Sequence, residues 1–227
     1  MATMELEKKD AVYVLTLTNG ANANTMNADV IGEYFKIFDE LEATTENSAL
    51  VVTSNDPKFW CNGIDLQWLL TKPPDYYTEF AALAERLLLR CALLNMPTVG
   101  CLTGHTYGGG AVLAVTFDFR LMREDRGFFC FPEVDINIPF TPFMYEILKL
   151  LPDHYSLNEL LLTGRRVGGG EAQAMKIVSA AYPQEILFEK AMELATTLAK
   201  KDRKTYASIK HGLRKHLLKF IPSGHTS

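Results

Sequence analysis

The stretch GHTYGGGAVLAVTFD, residues 104–118, sets three consecutive glycines directly before an apolar run of helical character. Glycine tolerates unusual dihedrals and lets other groups approach the backbone, and a helix that starts there points unpaired N–H groups outward. Two readings follow. Either the glycines allow a helix to pack tightly on a strand, or they open a binding spot for negative charge at a helix N-terminus. The spacing departs from the G-x-G-x-x-G of dinucleotide-binding turns, and no Lys-Ser/Thr pair follows as in a Walker A loop. Nucleotide phosphate is therefore not the favoured anion, which leaves an oxyanion developing on a carbonyl oxygen.

Upstream of the glycines, TVGCLTG after Pro97 reads as a short buried strand, and a long helical pattern from Tyr76 to Leu94 precedes it. Earlier still, Val30, Ile31, Tyr34, Phe35, Phe38 and Leu41 recur at helical spacing behind Asn27, a good N-cap, and ALVVTSN at 49–55 is strand-like. The opening segment, MELEKKDAVYVLTLTNG, predicts a hairpin around Lys9-Asp10. Downstream, FRLMRE and FFCF read as strands around the turn Asp125-Arg126-Gly127, and from Pro142 onward nearly everything is helical in pattern. The expected class is α/β, a strand-rich core followed by a helical C-terminal third, without repeats or linkers.

At 227 residues and 48% hydrophobic content the chain suits one domain with a sizeable core. A net charge of −4 without long like-charge blocks gives no footprint for nucleic acid, although Lys200, Lys201, Arg203 and Lys204 form a local basic cluster. Cys61, Cys91, Cys101 and Cys130 show no CxxC spacing and sit in apolar segments, as reduced buried thiols do; neither a disulfide nor zinc is indicated. MATMELEKKD lacks a signal-type apolar region, and no window is long enough to span a membrane. The expectation is a soluble cytoplasmic protein with neither a nucleic-acid nor a membrane partner.

A second feature bears on the glycines. In FWCNGIDLQWL, residues 59–69, a strand-like approach reaches Asn62-Gly63, and Asp65 opens a helical run. This resembles the crotonase superfamily of acyl-CoA hydratases and isomerases, whose F-x-A-G-x-D-L turn is followed some forty residues later by a G-G-G helix start. The halves read FWCNGIDL and PTVGCLTGHTYGGG here, with Asn62 where the family has alanine. FPEVDINIP at 131–139 and LLLTGRRVGGGEA at 160–172 resemble two further family blocks, so the likeness covers most of the chain.

The resemblance implies a crotonase-like spiral of repeated ββα units over residues 1–185, carrying the acyl-CoA site. Residues 186–227 would form a C-terminal helical region, shortened relative to many relatives, that serves trimerisation or CoA cover. It implies a homotrimer or a dimer of trimers, and coenzyme A only as part of the substrate thioester, with no separate cofactor or metal. The backbone N–H groups of Ile64 and Gly109 would form the oxyanion hole. Asn24, Met26, Asn62, Gly63 and Gly108 would contact the substrate, Asn24 and Met26 mainly through backbone.

Family hydratases use two glutamates. The first position is Val112 here, so only the second, Glu133, is present. One base suffices to carry a proton from carbon 2 to carbon 4 of an allylic thioester, whereas water addition needs a second proton-transfer partner. The pattern resembles a Δ3,Δ2-enoyl-CoA isomerase. Other crotonase-type reactions, hydration or thioester hydrolysis, and a non-catalytic acyl-CoA-binding scaffold are the alternatives. Phe131, Val134, Ile136 and Ile138 are expected to disfavour the ionised form of Glu133. Asp135 is read as a loop or subunit-contact residue, although it would share Glu133's face if the segment were extended.

Asp65 and Asp118 are read as structural, a helix-start cap and a helix-end residue, and His105 as a structural histidine. Trp60, Trp68, Phe140, Phe143 and Tyr145 are candidates for the acyl tunnel wall as well as for ordinary core. Lys204 and Lys210 are read as a solvated helix face rather than CoA-phosphate ligands. The ending FIPSGHTS differs from a peroxisomal SKL-type address.

Overall fold

In the computed structural model, which describes residues 2–221, Asp10 takes a φ of 54° and reverses the chain between β1 (Met4–Lys9) and β2 (Val12–Leu17). The two pair antiparallel, as the hairpin reading requires. Asn27 then starts α1 (Ala28–Ala43) by accepting from the Val30 N–H at 3.0 Å, and the buried side of this helix is the stripe Val30, Ile31, Tyr34, Phe35, Phe38, Leu41.

Three units of two strands and a helical segment follow. The first holds β3 (Ala49–Ser54), β4 (Phe59–Cys61), α2 (Leu66–Leu69) and α3 (Tyr76–Leu93). The second holds β5 (Thr98–Leu102), β6 (His105–Tyr107) and α4 (Gly109–Thr116). The third holds β7 (Phe119–Arg123), β8 (Phe129–Cys130) and α5 (Pro142–Leu148). The first strand of each unit joins a sheet of order β1-β2-β3-β5-β7-β9, parallel from β2 on, whose last strand β9 is Ala180–Tyr182. The second strands make a separate parallel sheet, β4-β6-β8. Every residue of β3 and β5 is buried, which is why both read as continuous apolar runs rather than alternating ones. The chain closes with α6 (His154–Thr163), α7 (Gly169–Ala174), β9 (Ala180–Tyr182), α8 (Gln184–Leu198) and α9 (Arg203–Leu213).

The large sheet has a core on each face. On one side α1, α3 and α4 cover Leu15, Leu50, Val52, Leu102 and Met122. On the other, Leu187, Ala191, Ala195 and Leu198 of α8 pack on Val12, Val14, Val51, Val99, Cys101 and Leu121. Helix α9 returns to the first face. Its buried Arg203 donates to the Leu41 carbonyl at 2.7 Å and to Thr44 Oγ1 at 2.8 Å.

Several local expectations need correction. The segments flanking Asp125-Arg126-Gly127 are both strands, but they lie in different sheets, because the chain crosses from one sheet to the other at that turn. A further short strand, β6, stands between TVGCLTG and the glycines, and β9 interrupts the helical C-terminal third. Lys210 is not on a solvated face: its ammonium is buried, 2.9 Å from Asp118 Oδ2 and 2.9 Å from the Met96 carbonyl. Arg214, just past the end of the same helix, meets Asp118 Oδ1 at 2.9 Å. Burial alone would raise the Asp118 carboxyl, yet Lys210 and Arg214 hold it below the usual carboxylate range. Asp118 is thus structural, and Lys204 is exposed. The final HTS lies outside the described residues.

Candidate active site

Two backbone turns meet at the start of α4. The first leaves β4 through Gly63, whose φ of +82° few residues other than glycine adopt readily. It is stitched to residues 23–26: Asn62 N–H donates to the Ala23 carbonyl at 3.1 Å, Met26 N–H to the Gly63 carbonyl at 2.8 Å, and Asp65 N–H to the Met26 carbonyl at 2.9 Å. Asp65 also caps α2 by accepting from the Trp68 N–H at 3.0 Å. The second turn is Gly108, with φ +53°, whose N–H donates to the Cys130 carbonyl at 3.0 Å.

These turns touch. A Cβ on Gly63 would lie 3.0 Å from the Gly109 nitrogen and 2.9 Å from the Tyr107 carbonyl oxygen, so no side chain fits there. Ile64 in turn packs on Gly109, 3.3 Å from where its Cβ would be. Among the described residues, neither the Ile64 N–H nor the Gly109 N–H has an acceptor. The three glycines divide the two readings of the sequence between them. Gly110 serves packing, since a Cβ there would come 2.5 Å from the Cys61 carbonyl oxygen on β4, whereas at Gly108 nothing lies nearer than 3.5 Å to the Cβ position and the helix start is open.

Glu133 stands over this helix start. After β8, Pro132 opens a single 3-10 turn, Pro132–Val134, and the turn carries the Glu133 carboxylate to 3.5 Å from the Cβ position of Gly108. Oε2 is buried and, among the described residues, has no hydrogen-bond partner. Burial pushes the carboxyl up to about 7, with its own backbone amide opposing the rise. The direction matches expectation, while the expected neighbours divide: Phe131 is buried, but Val134, Ile136 and Ile138 are exposed. The tight turn also separates Asp135 from Glu133 and lays its carboxylate against Gly164 at the end of α6. Val112, one turn into α4, is fully buried in the core.

Glu133 lines a cavity of about 670 Å³ with Ile138, Phe140, Tyr145, Leu157 and Leu161 among its walls. Of the five candidate aromatics, only Phe140 and Tyr145 reach it. Trp60 is buried edge-on against Phe117, Trp68 sits beside Tyr76 and Phe80, and Phe143 packs on Phe220. Leu157 and Leu161 were not singled out in the sequence; the signal was their i,i+4 spacing on α6.

The remaining candidates brace the turns. Asn24 is buried, with φ 51°, and its Nδ2 donates to Ser54 Oγ at 2.8 Å and to the Phe59 and Trp60 carbonyls, both at 3.2 Å. Met26 is buried beneath Gly109, and Asn62 is exposed. His105 lies among Phe59, Tyr107 and Phe128, and its Nδ1 accepts from the Phe128 N–H at 3.2 Å. Burial, then Lys58, Arg126 and Arg166, lower its pKa. It is therefore a packed neutral imidazole. Among the described residues no three His, Cys, Asp or Glu side chains converge as a metal ion would need, and no helix is long and apolar enough to cross a membrane.

Residues 7–222 match the family model described as enoyl-CoA hydratase/isomerase. The chain belongs to the enoyl-CoA hydratase/isomerase family. This hydratase/isomerase family member is similar to enoyl-CoA delta isomerase 3 of Arabidopsis thaliana, with 29% identity covering 95% of this chain and 94% of that protein. It is also similar to the Arabidopsis protein named enoyl-CoA delta isomerase 2, peroxisomal, with 29% identity covering 92% and 90%. Its fold is shared with a solved enoyl-CoA hydratase, EchA3 of Mycobacterium ulcerans, at a TM-score of 0.88 and 22% identity, covering 98% of this chain and 96% of that one. The protein is thus an enzyme of the hydratase/isomerase family with a crotonase fold.

Proposed function

We propose that this enzyme isomerises 3-enoyl-CoA to 2-enoyl-CoA through a single glutamate. The observation that carries the proposal is the lone Glu133 carboxylate, whose Oε1 lies beside Gly108 and whose buried Oε2 has no partner among the described residues, with Val112 in the core where a second acid would stand. In its ionised form Glu133 takes the proton from carbon 2. The thioester oxygen becomes a dienolate oxygen and accepts from the Ile64 and Gly109 N–H groups, while the positive end of α4 adds to the stabilisation. Protonated Glu133 then delivers the same proton to carbon 4. A carboxyl near pH 7 suits both halves, because it gives up a proton nearly as readily as it takes one. Coenzyme A enters only as the thioester, and the steps call for no further cofactor.

Hydration is less well supported, since Asp135 faces Gly164 and His105 lies among aromatic rings away from the Glu133 cavity. The four unpaired, buried thiols suit a reducing compartment such as the cytoplasm. On the family likeness, the assembly is a homotrimer or a dimer of trimers. The test is to incubate the protein with 3-hexenoyl-CoA and, separately, 2-hexenoyl-CoA, following conjugation by ultraviolet absorbance and water addition by mass. Conjugation without hydration, abolished in Glu133→Gln, is the expected result. Hydration by the unmodified enzyme would overturn the single-base mechanism.

A further inference from the structure

Helix α4 has its open N–H groups at one end, and at the other end two guanidinium groups take up its carbonyls. Arg120, at the start of β7, donates through one nitrogen to Phe117 at 2.7 Å, Val115 at 3.2 Å and Ala114 at 3.4 Å, and through Nε to Ile177 at 2.8 Å. Arg214 reaches across from α9 to the Thr116 carbonyl at 3.0 Å and to that of Ala92. Both arginines are buried. Among the described residues Arg120 has no carboxylate partner, and Lys210 and Arg214 already share the one carboxylate, Asp118. Burying an unmatched cation is costly, and a helix C-terminus is ordinarily satisfied by water or a left-handed residue.

We propose that Arg120 is a positioning residue for the oxyanion hole: its charge, bound to the carbonyls at the end of α4, fixes the helix and keeps its Gly109 end positive. This rests on the thioester-enolate reading of the site. Guanidinium groups neutralise the negative end of the helix dipole, leaving the potential at the N-terminus more positive. The helix has eight residues. It is therefore about 12 Å long, and a unit charge at that distance, acting through an effective dielectric of about 20, changes the stability of an anion about tenfold.

The experiment compares Arg120→Gln and Arg120→Lys with the unmodified enzyme in kcat and KM on 3-hexenoyl-CoA. A second readout is the fraction of bound acetoacetyl-CoA held as its enolate, read from its ultraviolet band, and thermal denaturation is recorded beside both. Arg120→Gln should lose about tenfold in kcat and in the enolate-to-keto ratio, with KM within about twofold, while Arg120→Lys recovers most of both. Equal impairment of the two variants, or an unaltered enolate ratio in Arg120→Gln, would overturn the proposal. Should Arg120→Gln not fold, Lys210→Met removes a cation from the same end; it should lower the enolate ratio several-fold, and an unchanged ratio counts against the charge role. If the unmodified enzyme neither conjugates the 3-enoyl substrate nor holds the enolate, it is the thioester reading that fails.

Discussion

Replacing Glu133 by Gln should make the enzyme inactive and, at alkaline pH, more stable. Burial raises the Glu133 carboxyl from 4.5 to about 7, so the folded protein binds this proton more tightly than the unfolded chain does. Stability is therefore lost as pH rises between those two values. At about 1.36 kcal/mol per pH unit, the loss reaches about 3 kcal/mol above pH 7. Glutamine matches the protonated side chain in shape and carries no charge to desolvate. Any misfit of its amide is the same at every pH, so the informative quantity is the difference between two pH values. For a chain of this size 1 kcal/mol corresponds to about 2–4 °C in Tm. The Tm of Glu133→Gln relative to the unmodified enzyme should therefore rise by about 6–12 °C from pH 4.5 to pH 8. Over the same comparison kcat should fall at least about a hundredfold. Thermal scans at both pH values, with ultraviolet turnover assays on the same samples, measure the two effects. A Tm difference that does not change with pH would refute the burial argument, since Glu133 would then titrate like a solvated carboxylate.

The same carboxyl sets the pH profile: because the ionised form is the base, kcat/KM should fall about tenfold per pH unit below about pH 7, and a limb near pH 4.5 would contradict the assignment. Gly110→Ala sets a methyl 2.5 Å from the Cys61 carbonyl oxygen, so urea denaturation should show a loss of at least about 2 kcal/mol, with turnover falling as α4 is pushed off β4. Asp118→Asn leaves Lys210 and Arg214 buried without their shared carboxylate, and a loss of about 3–5 kcal/mol in denaturant midpoint analysis is expected. Leu161→Trp narrows the cavity beside Glu133; it should slow long-chain 3-enoyl substrates more than 3-hexenoyl-CoA, and equal slowing would detach the cavity from the acyl chain.

Elements whose burial is one-sided or complete were legible in the sequence. The α1 stripe from Val30 to Leu41 and the unbroken runs of β3 and β5 each carry a pattern that burial explains. Short strands carry none. Three residues, as in β6 or β9, are too few to show a period, and nothing in the spacing of FRLMRE and FFCF says that the chain changes sheets between them. At the site, the positive-φ turn at Gly63 and the open start of α4 follow from residue type, because glycine is required there. What Glu133 meets does not. Its neighbours Val134, Ile136 and Ile138 are apolar in sequence but exposed, and Tyr145 of α5 with Leu157 and Leu161 of α6, later in the chain, complete the cavity wall. Lys210 and Arg120 were illegible for a similar reason: a charged residue reads as solvated until the fold supplies its partner.

The site draws on residues 23–26, 62–65, 108–109 and 133, one contribution from each successive stage of the winding chain. No single unit of the spiral contains it. Segments separated by tens of residues must close before the amides and the carboxylate face one another, and such non-local closure is the slow part of folding. Recovery of activity during refolding should thus lag behind recovery of helix signal, making turnover a clock for completion of the spiral.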